Sequence, residues 1–373
     1  MEKKRILILY VPMGSGHGAA AQAIEEAFVK KYPAFEVKTV NILDFAFDIF
    51  KKVLPKAYFL VSSKASFIYK WVYKYHKRQS RHDFLNRISN GILKGSFIDF
   101  IKKFNPDFII STNPLPMHLV SKSKEEKIIN TPSANVCTDF GFHSFWYNRD
   151  VNYYFVATSE IKKKLARKKV KAKNIIITGI PVKEKFKDSQ NKEQIARGLR
   201  LDGKKPILLI IGGKMSYDNL MEVLRQIREK NNDAQFLIVA GRDNGLLEKL
   251  KVSEIKKDKK TRIFGFIDNL EQLMSVSDLI ITKAGGVTVA ECLAKNLPMV
   301  INDAIPGQEE DNVRYVKDNE VGFEARSIKQ CSGIVARLFS DHKKIDKLKE
   351  NCKKISKPDA AQDMADFIAS KLS

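Results

Sequence analysis

The sequence predicts an α/β protein with two doubly wound, Rossmann-like domains. Short apolar runs such as residues 5–11 and 206–211 alternate with segments of good helix formers, and this rhythm occurs in both halves of the chain. Runs that are apolar throughout are typical of parallel strands covered on both faces of a sheet. A chain of 373 residues is also longer than a domain with one hydrophobic core usually is, and its length suits two domains.

Composition predicts where the domains meet. Residues 183–205 are mostly polar and charged, so we expect a linker there, between a first domain at 1–182 and a second at 206–356. The tail at 357–373 has the spacing of an amphipathic helix.

The first predicted strand leads into a glycine-rich loop and a helix. Gly14, Gly16 and Gly18 surround His17, but their spacing does not match G-x-G-x-x-G and no P-loop lysine follows. His17 lies where a strand ends and a helix begins, the sheet edge that faces the ligand crevice in open α/β folds. The positive helix end favours a neutral imidazole, as a general base requires. The alternative is a histidine that only caps the helix.

Net charge and cysteine spacing limit the kinds of binding partner and metal site that the chain can have. The formal net charge of +23 indicates nucleic acid, an anionic membrane or phosphorylated substrates, with lysine-rich codon usage as a competing explanation. Four scattered cysteines without C-x-x-C spacing argue against a structural zinc site and a disulfide framework. No run approaches the ~18 apolar residues of a spanning helix, so we expect a cytoplasmic protein, either soluble or attached to a membrane surface.

Residues 51–94 combine basic and aromatic side chains. Eleven Lys and Arg residues accompany one acid, Asp83, and eight aromatic residues are interleaved. Such a segment suits single-stranded nucleic acid, an anionic bilayer, or core helices with a basic outer face. The apolar stretches 45–50 and 59–61 favour the bilayer, and no RNP-like pattern is present. The candidate membrane or acceptor contacts here are Phe59, Phe67, Trp71, Tyr73, Lys74, Lys77 and Arg78.

A polar cluster follows the strand predicted at 131–137. The motif TDFGFHSFW carries Asp139, His143 and Trp146 at a strand end, hence on the crevice side of the sheet. Two ionisable groups are too few for a zinc site but suit a catalytic cluster. Trp146 can stack on a sugar face or an acyl chain.

In the second half, residues 281–312 have the features of a nucleotide-sugar site. Gly285 and Gly286 let the backbone approach a phosphate at the start of the next helix. Glu291, near Thr288 on that helix, can accept hydrogen bonds from a ribose. An ordinary βαβ unit with a glycine turn also fits this pattern. The polar loop that follows can meet the hydroxyls of a group on the phosphates, through Gln308, Glu309 and Asn312.

Four motifs together resemble one family. GSGHGAAAQAIEEAF, TDFGFHSFW, TGIPV and KAGGVTVAECLAKNLPMVI with PGQEEDN are similar, in this order, to the diacylglycerol glycosyltransferases. These are the monogalactosyl- and glucosyl-diacylglycerol synthases, related to the peptidoglycan GlcNAc transferase. The resemblance spans nearly the whole chain. It implies a GT-B fold, in which two Rossmann-like domains face a central cleft and the last helix returns to the first domain.

The resemblance also implies residue roles. His17 resembles the histidine of the family's first glycine loop, and Asp139 is the competing candidate for the base. His143 and Trp146 belong to the acceptor side. The first loop, PMGSGH, has fewer glycines than relatives usually have, and Asp243 stands where Asn is common. The implied donor-binding set is Gly212, Gly213, Arg242, Phe264, Gly265, Phe266, Gly285, Gly286, Thr288, Glu291, Gln308, Glu309 and Asn312.

The activity implied is an inverting transfer of a hexose from UDP-glucose or UDP-galactose to the sn-3 hydroxyl of 1,2-diacylglycerol. It implies no metal or other cofactor, no nucleic-acid partner, and peripheral attachment to anionic lipids on the cytoplasmic side of the cell membrane. The alternatives are GlcNAc transfer to a polyprenyl-linked acceptor, epimerisation of a UDP-sugar, and non-enzymatic nucleic-acid binding. The sequence leaves the donor sugar, processivity and oligomeric state open.

Overall fold

The structure is a computed structural model that describes residues 3–12, 16–45, 94–188, 190–211, 215–302, 304 and 309–372. Several predicted contacts lie outside the described residues. They are the membrane or acceptor contacts between Phe59 and Arg78, and Gly212, Gly213 and Gln308 of the donor set.

The first domain is built on a parallel sheet of order β2-β1-β3-β4-β5-β6. The strand order reverses between β1 and β3, which is the topological switch point of the sheet. The loops after these two strands therefore diverge and open a crevice at the carboxyl edge. This is the edge on which His17 and Thr112 lie. The strands are β1 (Arg5–Tyr10), β2 (Glu36–Asn41), β3 (Phe108–Ser111), β4 (Ser133–Val136), β5 (Tyr153–Val156) and β6 (Ile175–Ile177).

Helices flank this sheet, and in the described part of the domain four short 3₁₀ turns join its parts. Asn113 caps the third helix by accepting a hydrogen bond from the Leu115 backbone, and Thr158 caps the fourth in the same way. The helices are α1 (Gly16–Lys31), α2 (Lys94–Phe104), α3 (Pro114–Glu125) and α4 (Ser159–Arg167). The 3₁₀ turns are Ile42–Phe45, Ser144–Trp146, Ala172–Asn174 and Glu184–Phe186.

The second domain repeats this design with the order β12-β11-β10-β7-β8-β9. The reversal lies between β7 and β10, whose apolar residues are almost fully buried. These two parallel sheets confirm the predicted α/β fold class. The strands are β7 (Ile207–Ile211), β8 (Gln235–Val239), β9 (Thr261–Phe264), β10 (Leu279–Thr282), β11 (Met299–Asn302) and β12 (Gly322–Ala325).

The helices of the second half cover both faces of its sheet, except for the last one. They are α5 (Lys192–Gly198), α6 (Tyr217–Lys230), α7 (Asn244–Val252), α8 (Leu270–Val276), α9 (Gly286–Ala294), α10 (Glu310–Asp318), α11 (Ile328–Phe339), α12 (His342–Ile355) and α13 (Ala360–Leu372). A 3₁₀ turn, Glu254–Lys257, follows α7.

The range predicted as a linker, 183–205, is not entirely a linker. Helix α5 lies within it and packs against α8 of the second domain. Lys192 of α5 forms a 2.6 Å ion pair with Asp278, which lies just before β10. A prediction based on composition missed this short helix because its surface is polar and only Ala196 of its residues is buried.

The last helix, α13, packs on the first domain. Ile368 and Met364 are fully buried in one core cluster with Ile6 and Phe155 of the first sheet. Asp366 accepts hydrogen bonds from Lys31 Nζ at 2.7 Å and from the Tyr32 hydroxyl at 2.8 Å, which joins α13 to α1. No helix in the described part of the chain is both long and apolar enough to cross a membrane.

Candidate active site

His17 lies in the first turn of α1, at the carboxyl edge of the first sheet. Its Nδ1 atom is 2.7 Å from the backbone carbonyl of Thr112, and the Thr138 hydroxyl lies 3.1 Å from the same nitrogen. A carbonyl oxygen only accepts hydrogen bonds, so Nδ1 carries the proton in the neutral ring and Nε2 retains its lone pair. Burial lowers the pKa of His17 below its usual value, although the nearby charge of Asp139 opposes this effect. The ring is therefore neutral at pH 7 and able to accept a proton.

Asp139 lies after β4 and is held on both carboxylate oxygens. Oδ2 is 3.5 Å from His143 Nε2, and Oδ1 accepts a hydrogen bond from Asn312 Nδ2 at 3.1 Å. Burial by itself raises the pKa of Asp139, but His143, Asn312 and His17 together outweigh it and hold the pKa below its usual range. The carboxylate is therefore ionised at neutral pH.

Two aromatic contacts join these residues to Trp146. The Trp146 ring is almost fully buried, and its centroid lies 5.5 Å from that of His143 and 6.3 Å from that of His17. The structure thus brings His17 together with Asp139, His143 and Trp146, which lie more than 120 residues later in the sequence.

The two domains meet at this cluster. A Cβ atom placed on Gly286, the first residue of α9, would lie 2.1 Å from the carbonyl oxygen of Thr138. Only glycine fits so close to another backbone. On the opposite wall, a Cβ atom on Gly16 would lie 3.3 Å from Val287. The start of α9 therefore faces the start of α1 and the backbone next to Asp139.

The start of α9 has the features of an anion site. Its first N–H groups have no intrahelical acceptor, and the helix dipole places partial positive charge there. Gly285 is the N-cap residue, and a Cβ atom on it would lie 3.7 Å from Thr288 Oγ1 and 4.0 Å from Glu309 Oε1. Lys283 Nζ lies 3.7 Å from that same Glu309 oxygen. A diphosphate here would meet N–H groups, a hydroxyl and an ammonium group.

The rest of the predicted donor set lies along the same sheet edge. Arg242 follows β8, and its guanidinium lies 5.0 Å above the ring of Phe266, which follows β9 and is exposed. Phe264 and Gly265 form the end of β9 and the turn after it. Strands β10 and β9 are three strand spacings apart in the sheet, about 14 Å. A nucleoside diphosphate can extend over that distance, from the β9 end to the start of α9.

Glu291 lies further along α9, near Lys183 and Lys185 of the segment that follows the first domain. Burial raises the pKa of Glu291 to about 8, although the charges of Lys185 and Lys183 oppose the shift. No described residue donates a hydrogen bond to its carboxyl group or forms an ion pair with it. A half-buried acceptor without a described protein donor is suited to bind hydroxyl groups of a ligand.

Asn312 differs from its predicted role. It was expected near the sugar hydroxyls, but it is fully buried and all its amide groups bond within the protein. Glu309 is also buried, although it borders Gly285 as described above.

Sequence reasoning missed three residues of this site. Thr112 and Thr138 orient His17, and both follow strands whose carboxyl ends meet at the crevice. Lys283 follows β10 directly, and its position between a buried strand and the glycine pair was the available signal. Among the described residues, no group of three or more His, Cys, Asp and Glu side chains is arranged to hold a metal ion.

Two doubly wound domains with ionisable side chains on one cleft wall and a helix N-terminus on the other define the GT-B class. Solved structures agree with this fold. The UDP-GlcNAc 2-epimerase from Neisseria meningitidis has a TM-score of 0.64 at 14% identity, covering 98% of this chain and 100% of that one. MurG from Acinetobacter baumannii has a TM-score of 0.61 at 13% identity, covering 98% and 99%.

Sequence comparison finds relatives of both halves of the chain. Residues 17–182 match the monogalactosyldiacylglycerol (MGDG) synthase family, and residues 207–368 match the glycosyltransferase family 28 C-terminal domain. The chain therefore resembles the diacylglycerol glycosyltransferases in both halves, as the four sequence motifs predicted. A relative named processive diacylglycerol beta-glucosyltransferase, from Bacillus cereus (strain ATCC 10987 / NRS 248), is 28% identical over 99% of this chain and 94% of its own length. The relative of the same name from Bacillus subtilis (strain 168) is 28% identical over 94% and 91%.

In wild type we expect the free energy of unfolding to decrease between about pH 5 and pH 8, and in Glu291→Gln we expect a smaller decrease. In this window the unfolded chain carries Glu291 ionised while the folded protein keeps its proton, so the free energy of unfolding falls as pH rises. Glutamine has no such proton, so by pH 8 the variant gains on the order of 1–3 kcal/mol relative to wild type.

Denaturant titrations of wild type and variant at pH 5 and pH 8 measure this gain. Glu248→Gln, which changes an exposed glutamate of α7, is the matched control. Equal pH dependence in all three proteins would contradict the raised pKa of Glu291 in the folded protein.

Proposed function

We propose that this protein transfers a hexose from a UDP-sugar to the sn-3 hydroxyl of 1,2-diacylglycerol, with inversion and without a metal ion. One observation carries the proposal: a neutral His17 and an ionised Asp139 face the N-terminus of α9 across a closed cleft. A base on one wall and an anion site on the other are the two groups that a single displacement needs.

The donor half of the reaction belongs to the second domain. In this proposal the diphosphate lies at Gly285, Gly286 and Thr288, with Lys283 beside it, and the ribose hydroxyls donate to Glu291. When the bond between the anomeric carbon and the diphosphate breaks, UDP leaves with an additional negative charge. Backbone N–H groups and the α9 dipole stabilise that charge in place, so the protein need not reorganise during the reaction.

The acceptor half belongs to the first domain. The primary hydroxyl oxygen of diacylglycerol attacks the anomeric carbon from the side opposite UDP, and a base takes its proton. His17 suits this step because its Nε2 lone pair is available and its lowered pKa keeps the ring neutral. Asp139 is the alternative base, since it is ionised and lies in the same cluster.

The identity of the sugar remains part of the proposal. The relatives named above are called glucosyltransferases, whereas the family matched by the first domain is named for galactose. UDP-glucose and UDP-galactose are therefore the two donors to test. Their difference is one axial or equatorial hydroxyl, and in this proposal Glu309, which borders Gly285, meets such groups.

Attachment to the cytoplasmic face of a membrane is supported by a basic surface on the first domain. Residues 162–173 follow the single acid Glu160 and contain eight Lys and Arg residues, which we call the α4 basic surface. Lys168 of this surface lies 5.2 Å above the ring of Tyr147, the neighbour of Trp146. The surface thus adjoins the proposed acceptor side, where anionic headgroups would lie.

His17→Ala is expected to lower the transfer rate by at least about 100-fold, the usual contribution of a general base, while UDP affinity stays near that of wild type. The assay uses the whole protein, diacylglycerol in vesicles, and UDP-glucose or UDP-galactose supplied separately, with lipid products read by mass spectrometry. His342→Ala, an exposed histidine in the second domain, is the control.

Near-normal turnover of His17→Ala would assign the proton transfer to another group, and Asp139→Asn then tests the alternative base. Absence of any glycosylated lipid from wild type with either donor would contradict the proposed function itself.

Replacing Lys163, Arg167 and Lys173 by Gln is expected to weaken binding to anionic vesicles by on the order of 10- to 100-fold. All three side chains are exposed, and each basic residue near an anionic surface contributes about 1 kcal/mol. Flotation with phosphatidylglycerol-containing vesicles measures the change. Replacing Lys249, Lys256 and Lys259 of the second domain removes the same charge elsewhere. Equal losses in both triple variants would show a general charge effect rather than a binding surface.

A further inference from the structure

Asn312 of α10 uses its whole side-chain amide to join the two domains. Its Nδ2 atom donates to Asp139 Oδ1 at 3.1 Å and to the backbone carbonyl of Ala284 at 2.9 Å. Its Oδ1 atom accepts from the backbone N–H of Phe140 at 2.8 Å. Two partners belong to the loop after β4 in the first domain, and one belongs to the turn before α9. The side chain is 0% exposed, so these bonds are made in the absence of competing water.

Close packing on both sides holds Asn312 in this position. The ring of Phe140 stacks on Tyr315 of α10 with centroids 4.1 Å apart. A Cβ atom on Gly141 would lie 2.1 Å from the side chain of Asp311, so that side chain packs directly against the loop backbone. Rotation of the second domain away from the first would break these contacts together with the bond from Asn312 to Asp139.

The groups around Asp139 come from both domains. His143 lies 3.5 Å from Oδ2, the His17 ring is close enough to favour the ionised carboxylate, and the Cys137 thiol lies on the same strand end. From the second domain, Asn312 is the described side chain that donates a hydrogen bond to this carboxylate. The first domain thus supplies His143 for one oxygen, and the second domain supplies the donor for the other.

We propose that Asn312 is a positioning residue that acts through Asp139. When the domains are closed, its amide holds the Asp139 carboxylate in one orientation and favours the ionised form. When the domains separate, Asp139 loses that donor. The acid–base cluster therefore has all its hydrogen bonds only when the second domain is closed against the first. This inference rests on the proposed function, and it differs from the sugar contact that the family resemblance implied for Asn312.

The test compares Asn312→Asp, Asn312→Ala and wild type. The Asp variant has the same shape but places a carboxylate oxygen where Nδ2 donates, so a like charge faces Asp139 and raises its pKa. The Ala variant removes the donor and adds no charge, so its effect is expected to be smaller. Asn232→Asp makes the same substitution at an exposed position at the opposite edge of the second sheet.

For Asn312→Asp we expect the turnover number to fall by about 100-fold or more, while the KM for the UDP-sugar and the affinity for UDP stay within about threefold. The rising limb of the pH–rate profile is expected to shift to higher pH. Asn312→Ala should show the same pattern to a lesser degree, and Asn232→Asp should behave as wild type. A raised KM with unchanged turnover would instead assign Asn312 to the donor sugar and overturn the proposal.

A second readout does not depend on catalysis. Carbon-13 NMR of aspartate-labelled protein, with the Asp139 signal assigned from Asp139→Asn, follows the ionisation of that carboxylate directly. We expect its pKa to rise in Asn312→Ala and to rise further in Asn312→Asp. An unchanged pKa in both variants would overturn this inference even if wild type transfers the sugar. Conversely, a raised pKa without any glycolipid product from wild type would leave the inference intact and contradict the proposed function.

Discussion

The contact between Gly286 and the Thr138 carbonyl is the constraint on which the site depends. A methyl group at position 286 would overlap that oxygen, so the start of α9 lies directly against the backbone that precedes Asp139. The helix N-terminus and the carboxylate then belong to one space, although 146 residues separate them in sequence. In the proposed mechanism each domain alone has half of the chemistry: an anion site without a base, or a base without an anion site.

The charges of the cluster follow from this closed geometry. Burial keeps His17 neutral, and hydrogen bonds from both domains keep Asp139 ionised despite its burial. The same burial raises the pKa of Glu291, which has no described protein donor. Groups that are held in place before the reaction begins act more strongly than they would in water, because no solvent has to reorganise. Domain closure therefore sets both the positions and the protonation states of the site.

The fold class and the family resemblance could be predicted because they depend on local patterns. Apolar runs marked the strands, and the glycine loops with His17, Asp139 and Gly286 marked the strand ends. The partners of Asn312 could not be predicted, because its bonds to Asp139 and Phe140 cross the cleft between domains. Helix α5 was missed because a short helix with one buried residue has the composition of a linker. Residues 46–93, where the sequence predicts membrane contacts, lie outside the described residues.

The most direct test of a shared site is the Gly286→Ala substitution. The methyl group leaves the backbone N–H groups and Glu291 unchanged, but it forces the α9 start away from Thr138. Transfer rate and UDP affinity are measured on the same preparation. The account predicts a rate at least about 100-fold below wild type, with UDP affinity reduced by less than about tenfold. Wild-type transfer by Gly286→Ala would contradict the claim that this contact between the domains builds the active site.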